Sequence, residues 1–150
     1  MGLQLFFSFL VSASTAILNN VERRFIILCG ISGVITAGVY DYLNIYNSAA
    51  ISSLISCIAL SLFSQLLYHL TKMPSIIFTI SGIMPIVPGS LLFKTFNSLA
   101  ENNYTHAINY GSQAILVGFS IAVGLILNET FTSILVNLKR KFLPRKKKDY

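Results

Sequence analysis

Charge is scarce in this chain. Only 11% of its 150 residues are Asp, Glu, Lys or Arg, and only five are acidic. A soluble domain carries about 25% charged residues. With 54% hydrophobic residues and a mean hydropathy of +0.70, the composition excludes a soluble domain. It predicts an integral membrane protein with almost nothing outside the bilayer. Cysteine is limited to Cys29 and Cys57. Both fall in apolar stretches, where they read as small packing residues rather than a disulfide or a metal pair. The chain lacks a Gly-rich phosphate loop, a metal-ligand spacing, and any Ser-His-Asp set that short loops could assemble. An enzyme, a cofactor and a metal are therefore not expected. The first 18 residues lack a basic leader, and the Ser-Ala-Ser-Thr-Ala run lies inside a longer apolar stretch. That pattern predicts a retained helix rather than a signal peptide. The apolar segments do not alternate with polar residues, which excludes the strands of an outer-membrane barrel.

What is present is a series of membrane-length apolar runs. A spanning helix needs about 20 such residues. Five spans are predicted, at about 2–19, 25–43, 48–70, 74–98 and 105–134, separated by polar breaks. The fold class is an all-α polytopic transmembrane helix bundle over residues 1–138, with a basic cytoplasmic tail at 139–150. Seven of the eleven Lys and Arg residues lie between Lys139 and Lys148. They read as positive-inside anchoring at an anionic lipid surface rather than as a nucleic-acid site. With five spans, Arg23, Arg24, Lys72 and the tail share one side, and Asp41 and Glu101 lie near the other. The N-terminus is predicted outside and the C-terminus in the cytoplasm.

Small residues recur at four-residue spacing: Ser8, Ser12 and Ala16; Gly33 and Ala37; Ser53, Cys57 and Ser61; Ala114, Gly118 and Ala122. Such stripes let helix backbones approach closely. They support a bundle and say nothing of a solute.

The fourth segment reads P-S-I-I-F-T-I-S-G-I-M-P-I-V-P-G-S-L-L-F-K from Pro74 to Lys94, with Pro85, Pro88 and Gly89 at its middle. Each interior proline removes a backbone donor and clashes with the preceding turn. In a bilayer such a break is tolerated only where protein or trapped water satisfies the backbone, and transporters use broken helices to bind substrate near mid-depth. Pro85 cannot donate to the Ser81 carbonyl, nor Pro88 to that of Met84, which leaves both as expected acceptors. Gly82 and Gly89 permit close approach or unusual backbone angles. A half-helix restarting at Pro88–Ser90 would aim its first amides and positive dipole end at a carboxylate. Ser90 could add a hydroxyl and Lys94 a charge. The set Gly82, Pro85, Pro88, Gly89, Ser90 and Lys94 would suit a zwitterionic amino acid or a dicarboxylate. The plainer reading is a proline kink that only shapes the bundle.

Ionisable groups inside spans are functional candidates. Asp41 is a proton or solute group, or an interfacial cap beside Tyr40 and Tyr42. Glu129 is a second proton-coupling candidate, or a partner of Lys139. His69 and His106 read as solvated helix ends. Gln65 and Gln113 read as interhelical hydrogen-bonding groups. Tyr104, Tyr110 and Phe142 read as interfacial anchors.

The Pro85-Ile86-Val87-Pro88-Gly89 motif, with Pro74 just before its helix, resembles the small YjjB-type subunit of the threonine/serine exporter family. The chain length, the span number and the Arg-containing first connection agree with it. Phe93 departs from the tyrosine often found a few residues after the P-G turn. The resemblance implies export of threonine and serine, or of succinate in related two-component systems. It implies a larger membrane subunit as partner and a bacterial inner-membrane location. Proton coupling would supply the driving force. Pairing of identical chains is left open. The alternative is a non-transporting assembly subunit whose broken helix docks the larger partner.

Overall fold

A computed structural model describes residues 2–142, with side chains through residue 127. Glu129, Phe142 and the basic tail, including the 138/139 domain boundary, lie outside the described side chains. Six helices follow in order: α1 (Gly2–Leu18), α2 (Arg23–Asn44), α3 (Ala49–Thr71), α4 (Ser75–Ile83), α5 (Gly89–Ala100) and α6 (Tyr104–Phe142). A 3-10 turn, Met84–Ile86, follows α4. There is no strand among the described residues.

Asparagine ends two of these helices. Asn20 and Asn102 adopt left-handed φ of 54° and 58°, a conformation that asparagine tolerates better than most side chains. Val21 N then bonds Ala16 O at 3.0 Å, and Asn103 N bonds Ser98 O at 2.8 Å. These bonds satisfy carbonyls that the last turn would otherwise leave open. Asn103 in turn opens α6, its Oδ1 accepting from His106 N at 3.3 Å.

Three helices are long and apolar enough to cross a membrane: Arg23–Asn44, Ala49–Thr71 and Tyr104–Leu127. There are four if Ser75–Ile86 and Gly89–Ala100, bent by 43° at their junction, form one span. α1 is apolar but has 17 residues, the short end of the spanning range.

α2 is the hub. It packs against α1, α3 and α4, while α6 packs against α3 and α5. Serine and glycine make the close contacts. A Cβ at Gly33 would collide with Ser12 Oγ, and one at Gly82 would collide with Leu60 and stand 2.8 Å from Ser32 Oγ. The Ser32 hydroxyl lies between the Cys29 carbonyl, at 2.7 Å, and the Phe78 carbonyl of α4, at 3.2 Å. The predicted stripes of α1, α2 and α3 are all buried. Of the stripe predicted for α6, only Ala114 is. Ala122 is exposed and nothing lies within 4 Å of a Cβ at Gly118. The packing face of α6 is instead Ala107, Ala114, Val117, Ile121 and Gly124. An apolar helix in lipid has no polar face to mark its orientation, so small-residue spacing alone cannot select the buried side.

Val21, Phe25 and Met73 join the Ala16–Cys29–Leu67–Phe78 cluster. Arg23, Arg24 and Lys72 therefore lie at one end of the bundle. Asp41, bonded to Gln4, lies at the other.

Candidate functional site

The junction between α4 and α5 has a defined geometry. Val87 N turns back to Met84 O at 3.4 Å, and Gly89 N bonds Val87 O at 2.7 Å. The Met84 carbonyl is thus not a free acceptor, contrary to the sequence expectation. The 3-10 turn supplies a donor that the proline cannot. Gly82 holds a close approach, as above. Gly89 does not: its φ is not positive and nothing lies within 4 Å of a Cβ built there. No side chain caps α5, so its first-turn amides lack a side-chain acceptor at that end.

Two cavities flank the turn and share Tyr40, Pro85 and Ile86 as a common wall. One, of about 230 Å³, is also lined by Ala49, Pro88, Ser90 and Gln113. The other, of about 200 Å³, is also lined by Gln4, Ser8, Ala37 and Asp41. Both sit beside Ala37–Asp41, in the half of α2 away from Arg23. The break therefore lies a little past the middle of α2, on the Asp41 side. α4 and its turn rise only about 18 Å from Ser75, against about 33 Å for α2, at 1.5 Å per residue.

Asp41 contributes an unusual group. Its Oδ1 accepts from Gln4 Nε2 at 2.8 Å, while its Oδ2 is buried with no partner. Such an oxygen is an acceptor left open to a donor. Three hydroxyls, Ser12, Ser64 and Ser81, are also buried without a partner. Ser81 Oγ is near the Cys29 thiol but makes no well-formed hydrogen bond.

The structure brings Pro85, Pro88 and Ser90 to one cavity, and Pro85 and Asp41 to the other. It does not bring Lys94 to either. Lys94 Nζ sits 5.7 Å from the centre of the Tyr110 ring, in a separate cleft between α5 and α6. Four residues along a helix add about 40° of rotation and 6 Å of rise, enough to turn Lys94 onto α6 while Ser90 stays at the turn.

A family model described as "Threonine/Serine exporter, ThrE" matches residues 4–131. The chain belongs to the threonine/serine exporter family. Searches of curated proteins and of solved structures returned no match. The family match covers all of α1 to α5 apart from the first residues and runs well into α6. It makes this chain a multi-pass membrane protein with a transport-related role.

Three groups in the exporter's candidate site were not singled out from the sequence as lining it: Gln4, Tyr40 and Gln113. Gln4 lies 37 positions from Asp41, and only the antiparallel packing of α1 on α2 brings them together. Gln113 bonds Asn109 Oδ1 at 3.0 Å within its own helix, rather than crossing to another. The one signal available was a polar amide in an apolar run, which also marks ordinary helix contacts.

Proposed function

We propose that this chain is the small subunit of a two-component exporter that moves threonine or serine out of the cytoplasm, with the solute bound at the α4–α5 break. The observation that carries this reading is the buried, unpartnered Asp41 Oδ2, in a cavity walled by Pro85 and Ile86. On the opposite side of that wall lie Ser90 and the start of α5, where a carboxylate would meet the positive end of the helix dipole and the Ser90 hydroxyl. Acceptor and donor thus stand on either side of one thin turn. Movement of the turn would let a zwitterion engage both. Asp41 would carry the coupling proton in exchange, so that proton entry drives solute exit. A dicarboxylate such as succinate fits less well, because Asp41 would oppose its second acid group.

The partner in this reading is a larger membrane subunit, and the setting is a bacterial inner membrane. The N-terminus lies outside and the C-terminus in the cytoplasm. The common end shared by Arg23, Arg24 and Lys72 supports that orientation through the positive-inside rule.

A second reading has an observation of its own. Phe93 and Phe96 on α5 are 72% and 67% exposed, and α5 packs chiefly on α6. That face would dock the larger subunit, with this chain stabilising the assembly and touching no solute.

The deciding experiment is efflux of labelled threonine, serine and succinate from preloaded cells carrying this chain, its partner, or both. Efflux of threonine or serine only with both chains, and its loss in Asp41→Asn, supports the first reading. Undiminished, gradient-driven efflux in Asp41→Asn sinks it and favours the docking role.

A further inference from the structure

The cleft between α5 and the start of α6 measures about 390 Å³, and Phe93, Lys94, Asn97, Glu101, His106 and Tyr110 line it. It shares no lining residue with the two cavities at the break. Opposite charges face this cleft without neutralising each other. The one ion pair among the described residues joins Arg24 to Glu22. Lys94 rests over the Tyr110 ring, which stacks in turn on His106 at 6.2 Å. Glu101 Oε1 accepts from Asn97 Nδ2 at 2.8 Å, an amide that carries no charge. The aromatic face steadies the ammonium without satisfying its hydrogen bonds. Lys94 lies in α5 and Glu101 is the residue that closes it, seven positions on.

A cation and an anion held apart in one cleft match a ligand that carries both charges. A simple anion would be repelled by Glu101 and a simple cation by Lys94. We propose that this cleft is a second binding site for a free α-amino acid. The ligand's carboxylate bonds Lys94 Nζ, its ammonium bonds Glu101, and its side chain lies against Phe93 and Tyr110. The choice of an amino acid rests on the exporter reading above. The pairing of charges does not. In that reading the cleft is a way station that begins about one helical turn beyond Ser90.

The test uses the full chain in phosphatidylcholine nanodiscs with a cysteine reporter, Phe93→Cys, reacted with a maleimide. Cys29 and Cys57 are buried and leave the reporter signal clean. Lys94, Glu101 and Phe93 are all exposed, so their substitution does not threaten the fold. Threonine is expected to slow labelling, and succinate is not. Lys94→Gln and Glu101→Gln should each raise the protecting threonine concentration about tenfold or more, the loss of one charge-assisted hydrogen bond. Lys94→Arg and Glu101→Asp should restore most of it. Absence of protection, or protection indifferent to both glutamine variants, overturns the site. Labelling already slowed by phosphatidylethanolamine, and insensitive to threonine, assigns the cleft to a lipid headgroup and overturns the amino-acid assignment. A parallel Ser90→Cys reporter separates this proposal from the preceding one. Protection at position 90 alone removes the second site and leaves the break standing. Protection at 93 alone does the reverse.

Discussion

Gln4 donates to one oxygen of Asp41, across 37 positions of sequence, and the other oxygen of that carboxylate is buried with nothing to accept from. Asparagine at this position keeps an acceptor for Gln4 but cannot carry a proton. Asp41→Asn should leave the thermal melting of the detergent-solubilised chain within about 0.5 kcal/mol of the parent, as for most substitutions that disturb no packing. Threonine efflux should lose its response to an imposed pH gradient. Efflux that still follows the gradient would remove Asp41 from coupling.

The two glycines of the fourth segment should behave oppositely. A side chain at Gly82 meets Leu60 and Ser32, so Gly82→Val should lower stability by about 1–3 kcal/mol, the usual cost of overpacking. A side chain at Gly89 meets nothing within 4 Å. Gly89→Leu should therefore insert and melt normally yet abolish efflux. Equal melting curves for the two variants would contradict the packing described here.

On α6 the same contrast identifies the buried face. A Cβ at Gly124 stands 2.9 Å from Cys57 Cβ and 3.0 Å from Leu54 O. Gly124→Leu should destabilise the α3–α6 contact by about 1–3 kcal/mol. Gly118→Leu, which faces open space, should be neutral by the same melting assay.

Restoring backbone donors should straighten the junction. In a Pro85→Ala/Pro88→Ala double variant the helix can continue through Val87. Spin labels at Ile76 and Phe96, both exposed, should then move apart relative to the parent chain. An unchanged distance would mean that packing by α6, rather than proline, sets the 43° bend.

Much of this arrangement was legible in the residues. The apolar runs of α2 and α3 are long enough to read directly. The Asn19–Arg24 and Glu101–Asn103 breaks became helix ends because Asn20 and Asn102 accept left-handed backbone. Pro85 and Pro88 marked the junction. Three things were not legible, each for a tertiary reason. The carbonyl of Met84 was recaptured by Val87, a local turn that proline spacing does not specify. The buried side of α6 depends on where Leu54 and Cys57 lie. Lys94 follows Tyr110 on the neighbouring helix, away from Ser90.

α6 is one uninterrupted helix of 39 residues, about 58 Å at 1.5 Å per residue. Ala49, the first residue of α3, packs against the cluster that holds Val117 and Ile121 of α6 and lines a cavity with Gln113. Some 14 Å of α6, from Tyr104 to Gln113, precedes that contact, at the same rise per residue. Over that stretch Lys94 and Thr95 of α5 lie against Tyr110 and Gly111. α6 thus packs along α3, with α5 against its first turns and joined to α4 through Val87 and Pro88. One helix thus carries a wall of two separate spaces, Tyr110 in the cleft against α5 and Gln113 in the cavity at the break.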